Sequence, residues 1–372
     1  MIPWEGFADI YRDALYHGGL LCIFMTNWFT AHLLHHHLGR ASTQQSNPWM
    51  INVIDRWLQN NLDNGVLAGS VADWDKIDVP FYSAGNWTGF GLHLRGNTEA
   101  FMRSQSPHKK LRMQNGTHVH PFYSAEGRQD QIRFFDYWLK GEKNGWDKQP
   151  PVQLNVRHPG EKFVLRHENE WPLARTQWTK FYLDTKSSAL SATPVAAAGK
   201  VEYVAMGKGV TFTTAPLAVD TEITGPMAAK LFVSSSTADA DLFVIVRVFD
   251  PAGRELTFMG STDPNTPIAN GWLRVSHRRL DPAKSKPYRP YHPHDRAEML
   301  TPGEIYECDV EIVTSCIVVP AGWRIALTVR GKVPGIDQAR FADLAKQGEA
   351  GCPVSNALRG NVEITVEAIL ES

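Results

Sequence analysis

Residues 79–89, Val-Pro-Phe-Tyr-Ser-Ala-Gly-Asn-Trp-Thr-Gly, decide how the front of the chain reads. The short apolar run to Ala84, entered through Ile77-Asp78-Val79-Pro80, predicts a buried strand over 79–84. Gly85 to Gly89 predict a turn, and the stretch from about Leu92 to Arg103 predicts a helix. Working outward, residues 108–114 predict a second strand and Gly116-Thr117-His118 a loop. Residues 126–139 predict a helix stopped by Gly141, with Ile132, Phe135 and Leu139 facing inward. Strand, helix, strand, helix is the α/β alternation. Before it, residues 1–75 read as helical and irregular. Their clearest helix has Asn47 as cap and Pro48 in its first turn, places Met50, Val53, Ile54, Trp57 and Leu58 on one face, and ends at Gly65. Ile2-Pro3-Trp4 reads as the end of a buried strand, as though the chain began within a domain. Two strands in 150 residues do not make a doubly wound sheet.

Composition shifts at Asp147-Lys148-Gln149-Pro150-Pro151. Beyond it, residues 152–158, 179–184, 229–234, 242–249, 306–313, 324–329 and 362–370 are β-rich and separated by Gly, Pro, Asp and Ser clusters. The expected architecture is therefore α/β plus all-β. Residues 1–148 form one domain, and residues 149–372 form a jelly-roll, galactose-binding-like β-sandwich.

The chain has 372 residues, a length that favours two domains. Hydrophobic residues make up 43% and charged residues 21%, which excludes wholesale disorder. Lys+Arg is 38 against 39 for Asp+Glu, so nothing electrostatic points to nucleic acid or an anionic membrane. No apolar run reaches about 18 residues, the length a membrane-spanning helix needs. Cys22, Cys308, Cys316 and Cys352 form no C-x-x-C pair and read as small buried hydrophobes. The N-terminus lacks the basic-then-apolar pattern of a signal peptide, which favours a cytoplasmic setting, though the front end could have carried a targeting signal.

His32, His35, His36 and His37 could bind a metal from one helix face, but no H-E-x-x-H pattern accompanies them, and a partly exposed face is the plainer account. No metal or cofactor is expected. His118 sits in a loop after a strand, where a hydrolase places its general base; otherwise it is a loop histidine bonded to a carbonyl. The turn at 85–89 stands where the triad acid would sit, yet offers Asn86 and Thr88 and no carboxylate. Trp87 either lines a pocket or packs in the core. No G-x-S-x-G occurs anywhere. Asn86-Trp87-Thr88 and Asn115-Gly116-Thr117 match the glycosylation sequon, read here as chance. Asp239-Ala240-Asp241 could touch Ca²⁺ or start a strand and cap a turn, the commoner role. Arg289, His292, His294 and Arg296 read as a polar loop, solvated or packed across a domain interface.

Several stretches together carry a resemblance. They are Pro3-Trp4-Glu5-Gly6 with Tyr11-Arg12-Asp13, Gly85-Asn86-Trp87 with Leu92-His93-Leu94-Arg95-Gly96-Asn97, and Phe134-Phe135-Asp136-Tyr137-Trp138-Leu139-Lys140-Gly141. Thr224-Gly225-Pro226, Asp239-Ala240-Asp241-Leu242 and Trp272-Leu273-Arg274-Val275-Ser276-His277-Arg278 extend it. In order and spacing the chain resembles the cocaine-esterase/Xaa-Pro dipeptidyl-peptidase family, the CocE/NonD α/β-hydrolases, over nearly its whole length. The resemblance implies a partial α/β-hydrolase sheet with a helical cap between about Trp4 and Trp74, then the jelly roll. It implies a Ser–Asp–His order with the histidine at His118 and the acid near Thr88, where no Asp stands; either Asn86 or a carboxylate elsewhere is then expected to orient the imidazole. Trp4 and Trp87 are the expected substrate contacts. The serine is expected before residue 1, so the chain reads as the C-terminal part of a serine hydrolase acting on small peptides or esters.

Loss of such a serine costs about 10⁶ in turnover, so these residues are expected to be catalytically silent alone. The expected strand at 79–84 would also lose a neighbour on one edge. A non-catalytic carbohydrate- or partner-binding β-sandwich is the alternative, and a homo-oligomer is compatible with either.

Overall fold

A computed structural model describes residues 1–29, 53–65, 71–260 and 263–333. The His32–His37 cluster, Cys352 and the expected strand at 362–370 lie outside the described residues.

The front of the chain holds a short π-helical turn, Tyr11–Leu15, and a hairpin of β1, Tyr16–His17, and β2, Leu20–Leu21. Helices α1, Ile23–Trp28, and α2, Val53–Leu58, follow. Next come β3, Phe81–Asn86; α3, Leu94–Arg103; β4, Lys109–Gln114; α4, His120–Tyr123; and α5, Ala125–Lys140. Strands β3 and β4 run parallel, with Asn86 opposite Gln114. The expected bare edge of β3 is occupied. Tyr82 N donates to Met1 O at 3.0 Å, Ala84 N to Pro3 O at 3.2 Å and Glu5 N to Ala84 O at 2.7 Å. The opening residues thus lie parallel to β3, bridged at Trp4–Ala84.

Helix α5 starts and stops where its sequence signals place it. Ser124 Oγ caps Gly127 N at 3.0 Å, and Gly141 takes the left-handed conformation at φ 75° that glycine adopts without strain. Its inward face is another matter. Ile132, Phe135 and Leu139 are exposed, Leu139 at 78%, while Phe134 is buried. The helix carries two apolar stripes. Tyr82 and Trp146 present aromatic rings 6.4 and 5.3 Å from the Phe134 ring, and this aromatic surface takes the stripe centred on Phe134.

The strand-rich half contains β5, Val152–His158; β6, Lys162–Glu168; β7, Tyr182–Asp184; β8, Ala189–Ser191; and β9, Val210–Thr213. It continues with β10, Thr221–Val233; β11, Asp241–Phe249; β12, Ala269–Arg274; β13, Tyr306–Val319; and β14, Arg324–Lys332. Among the described residues, hydrogen bonding traces a mixed sheet of twelve strands, ordered β3-β4-β5-β13-β12-β11-β14-β9-β8-β7, with β6 on β5 and β10 on β13; β13 joins β12 and β5 through one residue pair each, Ile312 to Gly271 and Ile317 to Arg157. Pairing crosses the composition shift near 148, since Leu111 of β4 lies opposite Val152 of β5. The core crosses it too: Trp87, Leu94, Leu111, Met113, Val152, Leu154 and Cys316 form one cluster.

Charged groups lock the front of the chain onto the strand-rich half. Buried Arg12 bonds Asp9 at 2.6 Å, Asp63 at 2.7 Å and the carbonyls of His292 and Pro293 at 3.0 and 3.1 Å. Arg95 reaches Asp13 at 3.0 Å and Glu311 at 3.3 Å, and Arg289 pairs with Glu99. Of the loop's two readings, packing at this joint holds for His292 and His294, which are buried, while Arg296 pairs with Glu298 at the surface. Asp239 accepts from Ser276 N at 3.0 Å and Ser276 Oγ at 2.7 Å, and Asp241 pairs with Arg274, so both aspartates are engaged in turn and strand contacts. Cys308 and Cys316 are buried free thiols, and burial pushes them up to about 12 and about 11.

Candidate acid–base site

Parallel strands bring their C-terminal ends to one edge, the place where open α/β sheets put their chemistry. Here Glu5 leaves its track beside β3, Asn86 closes β3, and His118 follows β4 by four residues. His93, immediately before α3, completes the group.

His118 Nδ1 and Glu5 Oε2 are hydrogen-bonded. The His118 side chain is 44% exposed and that of Glu5 only 2%, so the pair is a buried carboxylate under an imidazole open to solvent. Burial pushes the Glu5 carboxyl above its ordinary range, while His118 and Asn86 favour the ionised form. Glu5 holds φ at 51°, a left-handed conformation that costs a side-chain-bearing residue about 1 kcal/mol or more. Such strain persists where surrounding structure over-determines it; here the Ala84 carbonyl and the His118 ring hold Glu5 on both sides.

His93 stacks on His118, ring centres 5.2 Å apart, with Phe7 stacked on it at 4.6 Å. Burial, with the His118 charge adding, pulls the His93 imidazole down to about 3, so it stays neutral.

Asn86 is not on the imidazole. Its Nδ2 donates to Gly116 O at 2.7 Å, and its Oδ1 accepts from Thr88 N at 3.0 Å and Thr88 Oγ1 at 2.8 Å. It therefore ties the His118 loop to the end of β3, with Gly116 at φ 95° supplying the turn. The partner expected of Asn86 is supplied by Glu5, 113 residues before His118. Trp87 is fully buried, with Nε1 on Asn155 O at 2.8 Å and its ring 5.7 Å from Trp171. It packs in the core and has no face free for substrate. Trp4 is half-buried, edge-on to Phe122 at 5.3 Å, near the same sheet edge.

Sequence reasoning missed Glu5 and His93. Both lie in stretches that carried the family likeness, but no spacing rule links residues 5, 93 and 118. Among the described residues no hydroxyl is hydrogen-bonded to the His118 ring, and no helix is long and apolar enough to cross a membrane.

Comparison with known proteins agrees with this architecture. A CocE/NonD family hydrolase from Staphylococcus aureus superposes with a TM-score of 0.83 at 29% identity, covering 91% of this chain and 61% of that one. A Mycobacterium bovis protein named "Putative serine esterase Mb1866c" is 27% identical over 266 residues, 60% of this chain and 38% of its own length. The cocaine esterase of a Rhodococcus species is 27% identical over 237 residues, 53% of this chain and 36% of that enzyme. The chain thus spans less than two thirds of each. Residues 144–336, just over half the chain, match the family described as the X-Pro dipeptidyl-peptidase C-terminal non-catalytic domain. Glu5, Asn86, His93 and His118 all precede that match. The chain is therefore a member of the CocE/NonD family with an X-Pro dipeptidyl-peptidase C-terminal domain.

Proposed function

We propose that Glu5 and His118 are the acid and base of a serine-hydrolase-type site acting on small esters or on peptides. The observation that supports it is the Nδ1 hydrogen bond from His118 to a buried carboxylate, on an imidazole whose other side faces solvent. That is the arrangement in which a carboxylate fixes the tautomer and stabilises the imidazolium, leaving Nε2 to take a proton from an alcohol and return it to the leaving group. Glutamate stands in for the aspartate expected near Thr88, whose hydroxyl is bonded to Asn86. Asn86 is a positioning residue, acting through the Gly116 carbonyl. Trp4 and the front helices shape the substrate approach. The relatives' names, esterase in two cases, support an ester or peptide substrate class.

Among the described residues no hydroxyl is hydrogen-bonded to the His118 ring, and no G-x-S-x-G occurs in the sequence. On this reading the hydroxyl that His118 serves lies outside the described residues, and without a G-x-S-x-G elbow the chain alone is expected to be silent. Two measurements test the reading. Proton NMR should show a far-downfield His118 Nδ1–H resonance that vanishes in Glu5→Gln; a signal indifferent to that change removes Glu5 as the acid. Assayed alone, the chain should turn over neither p-nitrophenyl butyrate nor Ala-Pro-nitroanilide, and real turnover, abolished in His118→Gln, would show that the hydroxyl was within it.

A further inference from the structure

Glu5, His93 and His118 each offer one donor atom, and the three atoms lie within 4.8 Å of one another. Two buried atoms of this group have no hydrogen-bond partner, Glu5 Oε1 and His93 Nδ1. A buried polar atom without a partner costs roughly 1–3 kcal/mol, so two in one cluster call for an explanation. His93 is 9% exposed and Glu5 6%, so solvent does not readily supply the missing bonds.

We propose that Glu5, His93 and His118 bind a divalent transition-metal ion of the zinc class. Two imidazole nitrogens and one carboxylate oxygen suit Zn²⁺, whereas Mg²⁺ and Ca²⁺ prefer all-oxygen sets. Three protein ligands with one side open to water is the arrangement of a zinc site that keeps an exchangeable position. Glu5 and His93 are the fixed donors: the first is held beside β3 and the second is clamped by Phe7. His118, on its exposed loop, is the adjustable one. Its ring now lies nearly parallel to that of His93, at 18°, and turns to aim a lone pair at the ion. The bound ion also neutralises the buried Glu5 carboxylate.

The consequence rests on the acid–base reading above. An ion holding His118 and Glu5 occupies both members of the proton-transfer pair, so on that reading Zn²⁺ blocks the acid–base chemistry of the site. Binding itself does not depend on that reading, which lets the two fail separately.

The test uses the full chain stripped of metal with a chelator. Titration with Zn²⁺ by calorimetry, and with Co²⁺ by its visible ligand-field bands, should show one site filled at micromolar protein. The His32, His35, His36 and His37 cluster is the rival in the same chain, so a variant with all four changed to Gln is run beside it. We expect this variant to keep the site. His93→Phe, which preserves the ring stack, and His118→Gln, on the exposed loop, should each weaken binding more than about 100-fold, since even partners outside a ligand set cost 10–100-fold. Should His93→Phe fail to fold by circular dichroism, His118→Gln decides alone. Absence of any Zn²⁺ uptake, uptake unchanged in His118→Gln, or uptake lost only in the four-histidine variant overturns the proposal. Zn²⁺ uptake in a chain whose downfield His118 signal is indifferent to Glu5→Gln would instead remove the acid–base reading and leave the metal site standing.

Discussion

The cluster around β11 and β13 is aliphatic: Val244, Val248, Ile268, Leu273, Val310, Ile317 and Val319, all buried and all from strands or their flanks. The region around Tyr11 is built differently. Stacked Tyr11 and Tyr16 pack beside an Arg12 that is 8% exposed and whose two terminal nitrogens bond two carboxylates and two carbonyls. One region is held by burial of apolar area, which tolerates swaps of similar volume. The other is held by buried charges, each of which fails if its partner is removed. The joint of the molecule thus lies in the less forgiving material.

The largest effect should come from Arg12. Replacing it with Met leaves Asp9, partly exposed Asp63 and the carbonyls of residues 292 and 293 without their donor. Breaking a buried ion pair costs about 3–5 kcal/mol, read as a drop in the urea midpoint. Val248→Ala in the aliphatic cluster should cost about half that, as a small cavity. Equal losses would erase the distinction between the two regions.

Helix α5 sharpens the comparison within the front segment. Phe134→Ala removes a ring from the Tyr82–Trp146 surface and should cost about 3 kcal/mol. Leu139→Ala should stay within about 0.5 kcal/mol, since its side chain is already in water. If Leu139 proves the costlier of the two, then something covers that stripe in solution.

These differences explain what could be read in advance. Strand β5 was legible to the residue, and β11 and β14 to within one residue at their starts, because alternation is a local signal. Strand β12 was not, since Asn270 and Gly271 interrupt its apolar pattern; Gly271 is there because a Cβ would sit 2.5 Å from Glu311 O. In α5 the helix was legible and its inward face was not, because two stripes compete and the surface of Tyr82 and Trp146, which lie on either side of the helix in sequence, chooses between them. The site shows the same divide. His118 could be found from its loop, whereas Glu5 and the Arg12–His292 contact join residues 113 and 280 apart, and no local pattern carries such pairings.

The joint should also be where acid acts first. Burial pulls His277 down to about 4, with the Arg274 charge adding, and His294 lies well below its ordinary value. The native state keeps His277 neutral, while the unfolded chain protonates it below about 6.5. Its contribution is present above that pH and drains as pH falls toward 4. Asp13, pushed up to about 6 by burial, works in the opposite sense, but it is present in wild type and variant alike and cancels between them. Between about pH 7 and pH 5, His277→Gln should therefore lose about 2 kcal/mol less than the wild type in urea titrations. Parallel losses would mean that His277 carries no pH dependence.

The smallest effect bears on the site itself. Glu5→Gly and Glu5→Ala remove the same carboxylate and leave nearly the same space, so their difference isolates the backbone. In a strand or helix Ala is normally the more stable of the two, because Gly gives up more conformational entropy on folding. At φ 51° the order should reverse, with Glu5→Gly the more stable by about 1 kcal/mol, a Tm difference of a few degrees. Both variants should lose the downfield His118 signal. That outcome would place the strain at the carboxylate that orients the base: a cost borne by the front segment for the position of one side chain, of a kind the aliphatic cluster has no reason to carry. A more stable Glu5→Ala would mean that residue 5 relaxes out of the left-handed region in solution, and with it the fixed geometry from which the acid–base pair was built.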